Sequence, residues 1–358
     1  MKISSFKILL ALLATGCICL SPLHAQRADF LSEANRAFVT TDAPIIAIKN
    51  VRIIDGTGGK ARPNQMIIIH DGRLAHVGEP VTAPHGADII DATGLTALPG
   101  LVMMHEHLFY RTRVAGETHY NHEPITFPRL YLAHGATTIR TAGAHYPLQD
   151  LLVKRSIAEG ALIGPDIDVT GPYLDGGEST RRHNLKLNTA EDAKDDVAQW
   201  AEQGVTSFKA FSRLKPAVLR AAVAEAHMHG IKVTGHLCAT TWNEAIDAGI
   251  DNIEHGVITA TDFVENKASG ECPSEEYEAS YIEDLPIQSQ EIQSLIDKMI
   301  ANDVALTATL IRAECWPDRP TAQSLSMLGP QALGEFRSIC HEDGTYEEFV
   351  QLWIDVTR

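Results

Sequence analysis

The chain has 358 residues, 44% of them hydrophobic, and a formal net charge of −16 at pH 7. This length and composition provide for one large folded domain plus a smaller one and exclude the fibrous and low-complexity classes. The acidic balance argues against nucleic acid as a partner.

The N-terminus has the pattern of a secretory signal, predicted at residues 1–25. Lys2 and Lys7 precede an apolar stretch at 8–20, and a small-residue cleavage site ends at Ala25. The apolar stretch is too short for a comfortable membrane span. We therefore expect a secreted or periplasmic protein without stable membrane insertion.

The cysteines are compatible with an oxidising compartment. A lipid anchor at Cys17 is not expected, because Ala14 stands where a lipoprotein signal has a larger aliphatic residue. Removal of the signal leaves Cys238, Cys272, Cys315 and Cys340. None of them has zinc-site spacing, and a disulfide between Cys272 and Cys315 is our prediction, although spacing alone does not fix the pairing.

Residues 26–98 predict an N-terminal segment followed by part of a small β-sandwich domain. The region is rich in β-branched residues and is interrupted by the hairpin dipeptides Asp55-Gly56, Gly58-Gly59 and Asp71-Gly72. Such dipeptides between apolar runs indicate short antiparallel strands.

Residues 99–358 alternate short apolar runs with helical segments. Candidate strands lie at 100–105, 136–141, 165–171, 205–210, 231–236, 250–255 and 304–310. This alternation predicts a parallel (β/α)8 TIM-type barrel. The chain ends on a predicted helix before an eighth strand, so we expect a C-terminally incomplete copy of a longer protein.

Two of the predicted helices have clear boundary signals. Thr189 and Asp192 suit a capping box at the start of TAEDAKDDVAQWAEQG. Gly230 suits the C-terminal end of KPAVLRAAVAEAHMHG.

The first barrel strand ends in LPGLVMMHEHLFY, which places two histidines one residue apart. Side chains alternate along a strand, so His105 and His107 share a face and Glu106 points the opposite way. At the carboxyl end of a barrel strand, this face is the mouth where active sites lie. The pattern predicts a metal site, although an isolated pair of this spacing also arises by chance.

Three later strand ends finish on further candidate ligands, Lys209, His236 and His255. Singly, a strand-end lysine is more often solvated, and a strand histidine is more often a hydrogen-bonded core residue. Together, their position at the same end of successive strands favours a common site. Carbon dioxide would convert Lys209 into an anionic carbamate that bridges two divalent metal ions. Such ions would share a nucleophilic hydroxide.

With these residues in order, the chain resembles the amidohydrolase superfamily, in its imidazolonepropionase-like and Xaa-Pro dipeptidase-like branch. The similarity is carried by DATGLTALPGLVMMHEHL, GATTIRTAG, GVTSFKAF and VTGHLCATTWNEAIDAGIDNIEHG, and it runs from about residue 45 to the end. It implies that His105 and His107 bind the more buried metal, that carbamylated Lys209 bridges, and that His236 and His255 bind the second metal. Zinc is the default ion for histidine and oxygen ligands, and manganese, cobalt or iron would also fit.

The chain departs from that family at three points. Met103 and Thr141 stand where the family has aspartates, so the supporting interactions of the site are expected to differ. The family's aspartate on the eighth strand, its last metal ligand and proton shuttle, has no counterpart in this chain. Its loss predicts a rate reduction on the order of 10²–10⁴-fold.

Substrate contacts are predicted in VTGPYLDGGESTRRHN, after the third strand. Tyr173 and His183 are the candidate catalytic residues, which in similar enzymes polarise the scissile carbonyl or hold the substrate. Arg181 and Arg182 are candidates to receive a substrate carboxylate. The alternative is an ordinary glycine-rich surface loop. The loop histidines His119, His122 and His145 carry weaker signals.

The sequence thus predicts a metal-dependent hydrolase of C–N amide bonds that acts on a dipeptide or an N-acyl amino acid. Cyclic amides and esters are also compatible. The alternative is a non-catalytic metal-binding remnant or truncated fragment. The expected partner is a small-molecule substrate, and the oligomeric state, including a homo-oligomer, stays open.

Overall fold

The computed structural model describes residues 31–114, 117–177, 179, 181–273 and 289–309. These residues fold as two units. One contains residues 36–99, and the other contains residues 31–35 together with the described residues from 100 onward. A one-turn helix, α1, lies at Glu33–Arg36.

The smaller unit is built on one five-stranded sheet. Its strands are β1 (Ile45–Ile53), β2 (Arg62–His70), β3 (Arg73–Gly78), β4 (Asp88–Asp91) and β5 (Thr96–Ala97). The strand order is β3-β2-β1-β4, and β5 also pairs with β1. The predicted β-sandwich is not shown, because the described strands of this unit form a single sheet.

The turn between β2 and β3 confirms one of the predicted hairpins. His70 pairs directly with Arg73, and the two intervening residues both have positive φ, 47° at Asp71 and 75° at Gly72. Asp-Gly is a favoured pair for this two-residue turn, because aspartate tolerates and glycine readily adopts the left-handed conformation.

The larger unit has a run of parallel strands. They are β6 (Leu101–Glu106), β9 (Ala136–Thr141), β10 (Asp166–Asp168), β11 (Thr170–Gly176), β12 (Leu185–Leu187), β13 (Ser207–Ala210), β14 (Lys232–Gly235), β15 (Asn252–Glu254) and β16 (Ala305–Thr307). They form a three-stranded sheet, β10-β9-β6, and a six-stranded sheet, β12-β11-β13-β14-β15-β16. An antiparallel hairpin, β7 (Phe109–Val114) with β8 (Glu117–His122), follows the first strand and was not predicted.

Helices alternate with these strands. They are α2 (Thr126–Ala133), α3 (Pro147–Ala158), α4 (Ala190–Glu202), α5 (Pro216–Met228), α6 (Trp242–Asp247) and α7 (Gln290–Ala301). Short 3₁₀ turns at Gly256–Thr259 and Thr261–Phe263 lie in the insertion after β15. The main core packs α4, α5 and α6 on the six-stranded sheet around Phe208, Leu219 and Trp242.

The two predicted helix boundaries are confirmed. Thr189 and Asp192 form the reciprocal hydrogen bonds of a capping box at the start of α4. At the end of α5, Gly230 has a φ of 69°, the left-handed conformation that stops a helix.

The predicted α/β class is confirmed, with one correction to its strands. The third predicted strand, 165–171, is two strands, and the second of them continues to Gly176, so that the start of the predicted substrate loop is strand. In the six-stranded sheet, the strands β13, β14, β15 and β16 lie side by side in chain order, as in a parallel barrel. Closure into an eight-stranded barrel stays a prediction, and the predicted C-terminal helix lies outside the described residues.

Candidate active site

Five predicted ligands lie at the carboxyl ends of neighbouring parallel strands. His105 is in β6 and His107 is just beyond it, Lys209 is in β13, and His236 and His255 directly follow β14 and β15. Backbone hydrogen bonds continue past two of these ends, from the His236 N–H to Ala210 O and from the His255 N–H to Thr307 O. β6 belongs to one sheet and β13, β14 and β15 to the other, and contacts of His105 with His255 and Lys209 bring the two sets of strand ends together.

The side chains of this metal-ligand cluster are in mutual contact. Ring centroids lie 4.6 Å apart for His105 and His255, 4.6 Å for His236 and His255, and 5.5 Å for His105 and His107. Lys209 is only 2% exposed, and its Nζ lies 3.3 Å from His105 Nε2. The structure therefore brings the whole predicted set together.

Glu254 contacts His105 of the cluster, and the sequence analysis did not predict Glu254 as a site residue. The residue is 0% exposed; Oε2 lies 2.7 Å from His105 Nδ1, and Oε1 accepts a hydrogen bond of 2.5 Å from Arg140 Nη2. Arg140 Nε in turn donates to Met104 O. The signal in the sequence was the acidic residue directly before His255, in DNIEHG.

Electrostatics keep Glu254 ionised. Burial opposes its ionisation, but the hydrogen bond from His105 and the charges of Lys209 and Arg140 outweigh burial and hold the pKa of Glu254 below its usual range. The ionised carboxylate of Glu254 accepts a hydrogen bond from the Nδ1–H of His105. The tautomer with a bare Nε2 is thereby favoured, as in the carboxylate–histidine pairs that orient metal ligands.

His105 in β6 and His107 just beyond it are neutral near pH 7. Burial lowers the pKa of His105 to about 4, despite the hydrogen bond to Glu254. Burial and the charge of Lys209 lower the pKa of His107 well below its usual value. His107 Nδ1 is directed at Gly143 O at 3.2 Å, which leaves Nε2 for the cluster.

The conformation of His255 explains how adjacent residues both reach His105. His255 has a φ of 67°, in the left-handed region that non-glycine residues rarely adopt. This turn breaks the strand alternation, so that Glu254 and His255 lie on the same side. His255 Nδ1 is then held 2.9 Å from Thr309 Oγ1.

The donor set fits divalent metal ions in chemistry. Neutral imidazoles with oriented nitrogens are preferred ligands of zinc and similar ions. Among the described residues, however, no three His, Cys, Asp or Glu side chains are spaced as a ready-made metal site. The amine of Lys209 lies at His105 Nε2, the position where a metal would bind.

The two predicted catalytic residues occupy different surroundings. Tyr173 is buried within β11, with its ring 5.9 Å from Lys209 Nζ, and burial raises the pKa of its phenol above its usual value. Gly143 makes room for this ring, because a Cβ there would lie 2.3 Å from Tyr173. His183 is exposed, with its ring 5.7 Å from that of His145.

The three loop histidines separate into different roles. His145 is buried against Tyr120, with ring centroids 3.8 Å apart. His122 lies on β8, and its Nε2 is 2.8 Å from Oδ1 of the buried Asp150. His119 is exposed on the same strand. Only His145 therefore joins the groups near Tyr173.

The titration of His145 predicts acid sensitivity. Burial lowers its pKa from 6.5 to about 3, assisted by the charges of His183 and Arg181. Between these pH values the unfolded chain binds a proton at this site that the folded chain does not. Stability therefore falls as the pH drops below 6.5, by up to about 1.4 kcal/mol per pH unit.

Urea unfolding at pH 7 and pH 4.5 tests this prediction. The His145→Phe variant removes the titrating group, so it should lose less stability than the original protein on acidification. His119→Phe, at the exposed position, should behave like the original protein. Equal acid sensitivity of all three proteins would contradict the prediction.

The disulfide differs from the predicted pairing. Cys272 is bonded to Cys238, with Cα atoms 5.1 Å apart, and not to Cys315, which lies outside the described residues. The two bonded residues are 34 positions apart. The bond therefore anchors the insertion after β15 to the end of β14, two residues beyond His236.

Sequence comparison places local stretches of the chain among curated enzymes. It is 31% identical over 121 residues to a dihydroorotase of Geobacter sulfurreducens, and 30% identical over 119 residues to a dihydroorotase of Streptococcus pneumoniae. The first match covers 32% of this chain and 27% of the relative, and the second 33% and 26%. The matched region thus spans about a quarter of the length of these relatives. No protein-family model matches the chain.

Solved structures share the fold over most of the chain. A protein described as a putative prolidase from Bifidobacterium longum has a TM-score of 0.56 at 21% identity, covering 83% of this chain and 68% of that one. A Xaa-Pro dipeptidase has a TM-score of 0.58 at 18% identity, covering 86% and 76%. A bottromycin amidohydrolase has 0.57 at 20% identity, covering 92% and 69%. These relatives and solved structures support the resemblance to the amidohydrolase superfamily.

The local matches to dihydroorotases and the shared fold agree with the resemblance carried by the sequence motifs. The branch within the superfamily stays a prediction, because the solved neighbours share the fold at low identity. Within the described part of the chain, no helix is long and apolar enough to cross a membrane.

Proposed function

We propose that the protein is a metal-dependent hydrolase of C–N amide bonds whose substrate is a dipeptide or an N-acyl amino acid. The observation that carries the proposal is the convergence of four imidazoles and the buried Lys209 at one edge of the parallel strands. The dihydroorotases, the prolidase and the Xaa-Pro dipeptidase that it resembles support amide hydrolysis.

The metal ligands in this proposal are His105, His107, His236, His255 and Lys209. We assign two divalent ions to them, with zinc as the first candidate. Bound there, the ions would activate water and polarise the amide carbonyl. Lys209 joins as a carbamate: its neutral amine adds carbon dioxide and releases one proton, which replaces a repelling cation with an anionic ligand.

The other residues of the site orient and bind. Glu254 holds the proton on His105 Nδ1 and so keeps Nε2 directed at the cluster. Tyr173, whose raised pKa keeps the phenol protonated, donates a hydrogen bond to the substrate carbonyl oxygen. His183 contacts the substrate at the exposed edge.

We also propose secretion or export to the periplasm. The support is the signal-like pattern of residues 1–25 and the Cys238–Cys272 disulfide, since disulfides persist mainly in oxidising compartments.

Metal removal tests the proposed function. A chelator should reduce hydrolysis of a panel of dipeptides and N-acetyl amino acids by about 10²–10³-fold, because a metal Lewis acid contributes several kcal/mol and about 1.4 kcal/mol corresponds to tenfold in rate. Zinc, manganese or cobalt should then restore the rate. Metal content is measured on the same samples.

The result also separates the alternatives. Hydrolysis that resists complete metal removal would overturn the metal-dependent proposal. Stoichiometric metal without hydrolysis of any panel member would instead support a non-catalytic metal-binding protein.

A further inference from the structure

A cluster of aromatic rings adjoins the metal-ligand cluster on the side of Tyr173. We call it the aromatic cluster, and it consists of Phe109, Tyr120, His145, Tyr173 and Phe211. Two contacts connect it to the ligands: the Phe211 ring lies 4.9 Å from His236, and the Tyr173 ring lies 5.9 Å from Lys209 Nζ. A group bound here would lie next to the bond under attack.

His145 carries a polar atom that the protein leaves unused. The residue is 7% exposed, and its Nδ1 has no hydrogen-bond partner among the described residues. Its ring packs against Tyr120, Phe109 and Tyr173, with centroids 3.8, 4.5 and 4.9 Å away. Buried polar atoms are nearly always paired, so an unpaired one among aromatic rings indicates a position where a ligand binds.

Arg181 places a positive charge over the same cluster. Its guanidinium carbon lies 4.8 Å from the centre of the Phe211 ring, and Nη1 donates to Tyr120 Oη at 3.1 Å. Among the described residues it has no carboxylate partner, and most of its five N–H donors remain available. Guanidinium groups bind carboxylates through two parallel hydrogen bonds.

Arg182 differs from its neighbour. It is exposed, and no hydrogen bond, ion pair or ring contact of its side chain occurs within the described part of the chain. The sequence did not distinguish the two arginines, whereas the structure places only Arg181 on the aromatic cluster.

We propose that Arg181 and His145 form a carboxylate subsite for the residue on the C-terminal side of the scissile amide. Arg181 pairs with the carboxylate, His145 Nδ1 donates a further hydrogen bond, and the side chain of that residue packs on Tyr120 and Phe211. The inference rests on the proposed function and narrows it. Substrates with a free terminal carboxylate are accepted, and substrates that lack it are bound weakly.

Binding of matched ligands tests the subsite directly. N-acetyl-L-phenylalanine ends in a carboxylate, and its C-terminal amide ends in a neutral group of similar size. The pair therefore tests recognition of the carboxylate by Arg181. Calorimetry on the purified protein should show that the acid binds about 10- to 100-fold more tightly than the amide. Arg181→Met should abolish this preference, and Arg182→Met should preserve it. His145→Phe, which keeps an aromatic ring, should reduce the preference.

The second measurement compares the hydrolysis of an N-acetyl amino acid with that of the corresponding C-terminal amide. Loss of Arg181 should raise KM for the acid with a smaller effect on kcat, because the carboxylate lies away from the reacting atoms. Equal binding of acid and amide, or an equal loss of preference in Arg182→Met, would overturn the subsite even if hydrolysis occurs. Acid-selective binding without hydrolysis would leave the subsite standing and overturn the proposed function.

Discussion

Replacing Glu254 by alanine is expected to destabilise the fold by about 3–5 kcal/mol, since removal of one partner of a buried ion pair leaves the other charge uncompensated. The stranded charge is that of Arg140, which is 5% exposed and donates to Glu254 Oε1. Equilibrium unfolding in urea measures the loss.

The conservative variant Glu254→Gln separates orientation from stability. Glutamine retains the size of the side chain, but its neutral amide is a weaker acceptor for His105 Nδ1–H. We expect metal affinity to fall about 10- to 100-fold, the usual effect of losing a partner that orients a metal ligand. Metal titration of the stripped protein measures this affinity without reference to activity.

Glu106→Gln is the matched control for this experiment. Glu106 lies between His105 and His107 in sequence, but its carboxylate interacts with Tyr131. The metal affinity of the Glu106→Gln variant should stay within about twofold of that of the original protein. Equal losses in the two glutamine variants would argue against an orienting role for Glu254.

Replacing Lys209 by methionine is expected to reduce hydrolysis by on the order of 10³-fold while the fold persists. Methionine has a similar length and buries no amine, so the stability should be unchanged or higher. Without the bridging carbamate, the metal content should fall from about two ions to one or fewer per chain.

The supply of carbon dioxide is a second variable in the Lys209 experiment. Activity of the original protein should depend on bicarbonate during metal reconstitution, and the Lys209→Met variant should not respond. Lys267→Met is the control, because Lys267 lies in the insertion after β15 and its Nζ donates to Ala239 O in the loop after β14. Full metal content and full activity in the Lys209→Met variant would contradict the proposal that Lys209 bridges two metal ions.

The clustering of the candidate ligands was predictable because each was placed at the end of a predicted strand. In parallel strands, residues at corresponding ends must meet, so the positions of Lys209 and His236 follow from topology alone. The contact between His105 and His107 followed in the same way from the alternation of side chains along a strand.

Glu254 was not predictable by the same rule. Alternation places Glu254 and His255 on opposite faces, and only the left-handed backbone at His255 brings both to His105. A single positive φ at a non-glycine residue leaves no pattern in the sequence. The carboxylate that contacts His105 thus comes from β15, a strand distant from it in sequence.

Tyr173 and His145 were misjudged for a related reason. The predicted third strand ended at residue 171, but β11 continues to Gly176 and holds Tyr173 in the sheet. His145 lay in a predicted loop, where burial by rings from β7, β8 and β11 depends on long-range packing. A hairpin and a strand from distant parts of the chain thus decide its environment.

The disulfide has a practical consequence for preparing the protein. The crosslink between Cys238 and Cys272 closes a loop that includes β15 and His255, and it begins two residues after His236. A loop of this size contributes about 3–4 kcal/mol through the unfolded state. Protein produced in a reducing cytoplasm, or purified with a strong thiol reductant, would lose this restraint on two of the metal-ligand histidines. Inactivity of such a preparation would then result from the missing disulfide and not from the protein sequence.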